Sequence, residues 1–245
     1  MTNAAPPFEL TPYAGKVWRF VEDQNTSSTM KLVDTMDEHA ILEELLDASK
    51  PPVPVACQHL HYLQFTPFRY PARHATRFRR KGDRRGVYYA AETIQTAATE
   101  VAFYRMLFFV ESPETDPPKA PFAMSVFSTE IDTPRALDMV AACDADLRAD
   151  CADPVDYATC HLLSEAVREA QGQVIRYPSV RDPEGMNVAV LRCAAFASAG
   201  VADVQNWWFR FGAQGIFAAQ GFGPGRMAFL FESFAGDPRV TGWEV

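Results

Sequence analysis

No apolar run in this 245-residue chain approaches the ~18 residues that a bilayer span needs. The N-terminus (MTNAAPPFELTPYAG) lacks a basic start and an apolar core, so it does not read as a secretory leader. Cysteine is scarce and irregular. Cys57, Cys143, Cys151, Cys160 and Cys193 are odd in number and never spaced C-x-x-C, which predicts reduced thiols in a cytoplasmic protein. His59-Leu-His61 has no third ligand at zinc spacing, so no metal is expected. Positive charge is in deficit: 23 Lys+Arg against 31 Asp+Glu leave −8, which argues against a nucleic-acid binder or a membrane-surface protein. There is no repeat and no G-x-S-x-G elbow, and Ser164 falls mid-helix. The glycine-rich Gln220–Gly225 contains Pro and has no helix pattern behind it, so it reads as a turn.

The composition, 48% hydrophobic and 22% charged, is that of a globular protein and excludes wholesale disorder, collagen and coiled coil. Residues 1–14 read as a loose arm and 15–245 as one domain. VWRFV (17–21) alternates as a strand. Thr35-Met-Asp-Glu38 is a capping box ahead of Ile41, Leu42, Leu45 and Leu46, and that helix should stop before Lys50-Pro51-Pro52. The Pro- and Arg-rich 51–86 is expected to be irregular. A short strand at 86–90, a helix from Thr93 to Phe109, a loop over 111–120 and a strand over 122–131 follow. Asp153-Pro154 predicts a helix start, with the helix running to Gln171 and closed by Gly172. Strands at 174–180 and 186–191 suit a hairpin around Asp182-Pro-Glu-Gly185, and 227–231 a late strand. Trp207-Trp208 reads as core or interface. Strands and helices do not alternate, so the expected fold is α+β: one domain, a mainly antiparallel sheet with flanking helices.

Three features could carry chemistry. Arg69, Arg73, Arg77, Arg79, Arg80, Lys81, Arg84 and Arg85 gather eight cations in 17 residues, either as a solvated loop or as an anion pocket that uses the bidentate guanidinium fork. Composition does not choose among them. Glu100 has Thr96, Ala97, Phe103 and Tyr104 as helical neighbours and no cation at pairing distance. A carboxylate there is either a site group or an acid solvated near a helix start. In Ile175-Arg-Tyr-Pro-Ser179-Val-Arg181, a proline interrupts a strand, which predicts an edge strand or a bulge.

Taken together, Thr76-Arg77-Phe78, Gly86-Val-Tyr-Tyr89-Ala-Ala, Thr96-Ala-Ala-Thr-Glu100-Val, Ile175-Arg-Tyr-Pro-Ser179-Val-Arg181 and Gly185-x-Asn187 resemble the RES domain, named for a motif Arg, Glu and Ser. The resemblance spans roughly 17–200. The N-terminal helix, His61-Tyr-Leu and Pro67-Phe-Arg69-Tyr-Pro71 are similar to the longer subgroup, which includes a toxin that ADP-ribosylates phosphoribosyl-pyrophosphate synthetase.

The resemblance implies an ADP-ribosyltransferase-like fold and the toxin of a bacterial toxin–antitoxin pair with NAD as cosubstrate and no metal. It implies an Xre-type antitoxin that covers the active site in a hetero-oligomer, and a protein acceptor such as phosphoribosyl-pyrophosphate synthetase. Glu100, Arg77 and Ser179 carry over as catalytic, and Arg77, Tyr89, Ser179, Arg69, His61 and Asn187 as NAD-binding. Cleaving the nicotinamide–ribose bond builds positive charge on the ribose, which a fixed carboxylate at Glu100 stabilises. Arg77 would hold the pyrophosphate, Tyr89 stack on or otherwise position nicotinamide, and Ser179 bond to its ribose or amide. NAD hydrolysis or phosphorolysis, and a silent antitoxin-binding module, remain open as alternatives.

Overall fold

The computed structural model describes residues 8–23, 29 and 32–241; half of the expected arm, residues 1–7, lies outside them. Strand β1 (Thr11–Glu22) begins inside that arm, four residues ahead of the expected domain start. Helices α1 (Met36–Ser49) and α2 (Tyr62–Arg69) precede β2 (Tyr88–Ala91) and α3 (Ile94–Val110). β3 (Phe122–Asp138) leads into α4 (Met139–Ala142), α5 (Ala145–Cys151) and α6 (Ala158–Glu169). The hairpin β4 (Val174–Pro178) and β5 (Met186–Val190) follows, then β6 (Ala202–Gly212), β7 (Gly215–Gln220) and β8 (Arg226–Leu230).

All eight strands join one sheet in the order β1-β2-β5-β4-β3-β6-β7-β8. β3 is long enough to serve two neighbours on one side. Phe122–Ser128 pairs with β6 and Ala136–Asp138 with β4, while β1 runs antiparallel along the other side. The β1–β3 ladder therefore closes β1, β2, β5, β4 and β3 into a ring, and β6–β8 extend from it. Only β3–β4 is parallel, so the α+β, mainly antiparallel fold with flanking helices is the one observed. α3 buries Ala98, Ala102, Phe103 and Met106 against β1, β3 and β6–β8. Among the described residues no helix is long and apolar enough to cross a membrane.

Several local expectations change. The segment 51–86 is not all irregular, because α2 forms despite Pro67. His61 caps it, and Gln64 reaches back to the His61 N–H. Asp153 does not cap α6. Its Oδ1 accepts from the Val155 and Asp156 N–H groups in a turn, and the helix starts five residues later, at Ala158. β4 is a central strand, not an edge. Pro178 is tolerated because it is the last residue, beyond Arg176, where the β3 ladder ends. Cys57 and Cys193, 136 residues apart, form a disulfide between two 3-10 turns, which corrects the expectation of five reduced thiols. Nothing in their spacing announces the pair; the fold brings their Cα atoms to 5.4 Å. Cys143, Cys151 and Cys160 are free and buried.

Candidate active site

A cavity of about 560 Å³ opens beside α3, lined by β1, β2, the 76–77 turn and the β4–β5 hairpin. Its volume lies in the ~300–1,000 Å³ range of small-molecule sites. Arg77, Tyr89, Glu100 and Asn187 all line it, so the structure brings together four residues that lie as much as 110 positions apart in the chain.

Glu100 sits two turns into α3, whose start is fixed by Thr93 accepting from the Thr96 N–H at 3.0 Å. Two side chains grip one of its oxygens: Ser179 Oγ donates to Oε1 at 2.7 Å and Asn187 Nδ2 at 2.6 Å. Ser179 is itself fixed, because Oγ accepts from the Arg181 and Asp182 N–H groups at 3.1 and 3.0 Å. Its single proton therefore goes to Glu100. Asp182 ties the same turn to α3 by accepting from Thr96 Oγ1 at 2.8 Å. Gly185 permits the approach: a Cβ there would stand 2.4 Å from Thr96 Oγ1 and 2.6 Å from Asp182 Oδ2.

Arg77 extends from a two-residue turn bridged by Thr76 and Arg79. One of its nitrogens, Nη1, bonds to the carbonyls of Cys151 and Asp153, and the guanidinium lies 4.9 Å from the Tyr157 ring. Tyr89 holds this turn. Its hydroxyl accepts from the Phe78 N–H at 3.0 Å and shares a hydrogen bond with Thr76 Oγ1 at 2.9 Å. Burial pushes the Tyr89 phenol up to about 12, so it stays protonated at neutral pH. His161 Nε2 adds a bond to the Thr76 carbonyl at 2.9 Å.

The arginine cluster resolves unevenly. Arg77 is its only member lining the cavity. Arg79 bonds to the carbonyls of Tyr70 and Asp83, and Arg85 pairs with Asp83 and Glu165. Arg73, Arg80, Lys81 and Arg84 are exposed. Arg69 lies away from the cavity and pairs with Asp47 at 3.1 Å, tying α2 to the end of α1. His61 is likewise outside the lining and serves as the α2 cap.

Sequence reasoning missed Arg19. It projects into the cavity from β1, stacks on the Tyr88 ring at 4.8 Å and donates to the Tyr89 carbonyl at 3.2 Å. Burial draws its pKa below the ordinary value, but a guanidinium stays charged. The signal was the alternation itself, which puts Arg19 on the same strand face as Val17 and Val21. Among the described residues neither Arg19 nor Arg77 makes an ion pair, whereas Arg105, also in the lining, is matched by Glu22 at 2.5 Å. The cavity thus holds two unneutralised cations, an anchored carboxylate, and walls formed in part by Trp18, Phe20, Tyr104 and Phe108. Unpaired guanidiniums in a partly desolvated site favour an anionic ligand.

The chain is similar in structure to a chain of the Mycobacterium tuberculosis MbcT–MbcA toxin–antitoxin complex, at 11% identity and a TM-score of 0.45, over 80% of this chain and 85% of that one. No curated protein matches it in sequence. The RES domain family model matches residues 53–212, well over half the chain, including Arg77, Tyr89, Glu100, Ser179 and Asn187. This chain belongs to the RES domain family.

Proposed function

We propose that this protein is the toxin of a toxin–antitoxin pair that breaks the nicotinamide–ribose bond of NAD and passes ADP-ribose to a protein. The observation that carries the reading is the coincidence, in one cavity, of two unpaired guanidiniums and a carboxylate held by two donors. A dinucleotide offers what each group lacks: a diphosphate for Arg19 and Arg77, and a ribose that turns cationic beside Glu100 as its glycosidic bond stretches. The bonding pair leaves with nicotinamide, and the acceptor then attacks C1′. Glu100 stabilises the charge only as it develops, so its effect falls on turnover more than on binding. Ser179 and Asn187 fix its orientation, and Tyr89 acts through the turn that carries Arg77.

Tyr104 and Phe108 line the cavity and are each about half exposed, at 50% and 51%. That apolar rim suits a protein seated over the opening, either the acceptor or an Xre-type antitoxin. Phosphoribosyl-pyrophosphate synthetase is the acceptor to try first, on the resemblance to the longer subgroup. Arg69 and His61, placed on the α1–α2 side, are assigned to that subgroup's scaffold and not to NAD.

The test is nicotinamide release by the purified, antitoxin-free chain in buffer, with phosphate and with lysate, followed by mass spectrometry and run beside Glu100→Gln. The expected result is release that depends on lysate, one protein gaining the mass of ADP-ribose, and a Glu100→Gln variant that binds NAD but does not turn it over. Release in buffer or phosphate alone would replace the transferase with NAD hydrolysis or phosphorolysis. No release from a folded sample would leave a silent antitoxin-binding module.

A further inference from the structure

The hairpin turn that holds Glu100 is itself held from outside the matched family region. Arg181, two residues after Ser179, is almost fully buried, its side chain only 6% exposed. Its Nη2 bonds Asp237 Oδ2 at 2.6 Å, and its guanidinium lies 3.8 Å from the Phe103 ring. Asp237 is 1% exposed and also accepts from Arg239, through the backbone N–H at 2.9 Å and the side chain at 3.0 and 2.7 Å. Burial alone would raise the Asp237 carboxyl, but the two arginines outweigh it and hold it below its ordinary value. The segment bearing Asp237 is pinned by Phe234 and Val240, both in the core beneath α3, and Phe234 meets Phe103 edge-on at 5.5 Å.

Phe103 lies three residues after Glu100 on α3, and Arg181 two residues after Ser179. The Arg181–Phe103 contact therefore clamps together the helix that carries the carboxylate and the turn that orients it. Arg181 needs a counter-charge to be buried there, and Asp237 supplies it from a stretch beyond residue 212, where the family match ends. We propose that Asp237 is a positioning residue: through Arg181 it sets the Ser179 turn against Glu100, which makes the C-terminal segment a determinant of turnover in this chain. The inference rests on Glu100 being the group that acts on NAD, but the clamp itself can be tested without turnover.

The test compares Asp237→Asn with the full wild-type chain in two measurements. The first is nicotinamide release, resolved into kcat and KM. The second is amide hydrogen exchange at Arg181 and Asp182, whose N–H groups bond Ser179 Oγ. The expected result is kcat lower by about 3- to 30-fold with KM for NAD little changed, as for a residue acting through a packed network, and faster exchange at both amides. Asp237→Glu should restore part of both. A merely structural role would lower the melting temperature and leave kcat per folded molecule and both amides unchanged, which would overturn the proposal. Arg181→Lys, which keeps the charge but loses the fork and the stacking, takes its place if Asp237→Asn does not fold, with the same expectation. If wild type releases no nicotinamide, the exchange measurement alone decides: faster exchange upholds the clamp although the NAD reading has failed, and unchanged exchange removes the clamp as well.

Discussion

Ser179→Ala separates a serine that touches NAD from one that aims Glu100. Its hydroxyl proton is committed to Glu100 Oε1 at 2.7 Å, and two backbone N–H groups occupy the oxygen. Removing it deletes a hydrogen bond to a charged group, worth about 1.5–3 kcal/mol. If that energy serves to hold the carboxylate in its transition-state geometry, kcat falls by about 10- to 150-fold. Asn187 still grips the same oxygen at 2.6 Å, which sets the loss toward the lower end. KM for NAD should move by less than about threefold, because the proposed binding contacts are those of Arg19 and Arg77. The N–H groups of Arg181 and Asp182 lose their acceptor; neither residue is wholly buried, although the Arg181 side chain nearly is, so both amides can turn to water, at about 1–2 kcal/mol of stability. Since Ser179 and Asn187 share one oxygen, Ser179→Ala and Asn187→Ala should be non-additive in kcat by at least about 0.5 kcal/mol. Initial rates of nicotinamide release over a range of NAD give both constants. A variant with raised KM and unchanged kcat would refute the reasoning and place Ser179 on the substrate.

Arg19→Ala should weaken NAD binding by about 10- to 100-fold, as expected for one lost charge-assisted contact, whereas Arg69→Ala should leave the affinity unchanged; calorimetric titration of both checks the reassignment of the cluster. Reducing the Cys57–Cys193 bond, or replacing Cys57 with Ser, should cost about 2–5 kcal/mol, in keeping with a crosslink that closes a long loop. Denaturant midpoints with and without reductant measure that loss, and identical midpoints would mean that the thiols are not joined in solution.

Local rules served where the chain writes its structure into neighbouring residues. The Thr35 capping box starts α1, Thr93 caps α3, and the Asp182–Gly185 turn joins β4 to β5. They did less well where tertiary packing decides. β3 runs seven residues past the expected Ile131 because β1 and then β4 continue its ladder. α2 was hidden behind Pro67, which looked like a breaker but sits in the sixth position of an eight-residue helix. The same division holds at the site. Glu100 was visible as a carboxylate without a helical partner, and Ser179 as a break in a strand. Arg19 was hidden because a single arginine in an apolar strand looks like ordinary alternation until the opposing wall is known. Composition alone does not tell Arg77 from the six other arginines of its stretch, which share its guanidinium; the motif resemblance picks it out, and it is the member of the cluster that lines the cavity.

Tyr89 is where the sequence reading and the geometry assign different work to one side chain. Stacking on nicotinamide would use the ring, whereas the observed contacts use the hydroxyl, bonded to the Phe78 N–H and to Thr76 on either side of Arg77. Tyr89→Phe keeps the ring and deletes only the hydroxyl. Phe78 is 2% exposed, so its N–H would lose a buried partner, at a cost of about 1–3 kcal/mol. The cheapest relief is for the 76–79 turn to shift, and Arg77 moves with it. Loosening the arginine proposed to hold the diphosphate should raise the Kd for NAD by about 3- to 10-fold, less than outright removal of a charge-assisted contact, while kcat at saturating NAD stays near wild type because Glu100, Ser179 and Asn187 are untouched. Thr76→Val, which deletes the other partner of the same hydroxyl, should shift Kd in the same direction and should not add to Tyr89→Phe. If Tyr89→Phe binds NAD as tightly as wild type, the hydroxyl is dispensable and the ring is the working part, which would return Tyr89 to direct contact with nicotinamide.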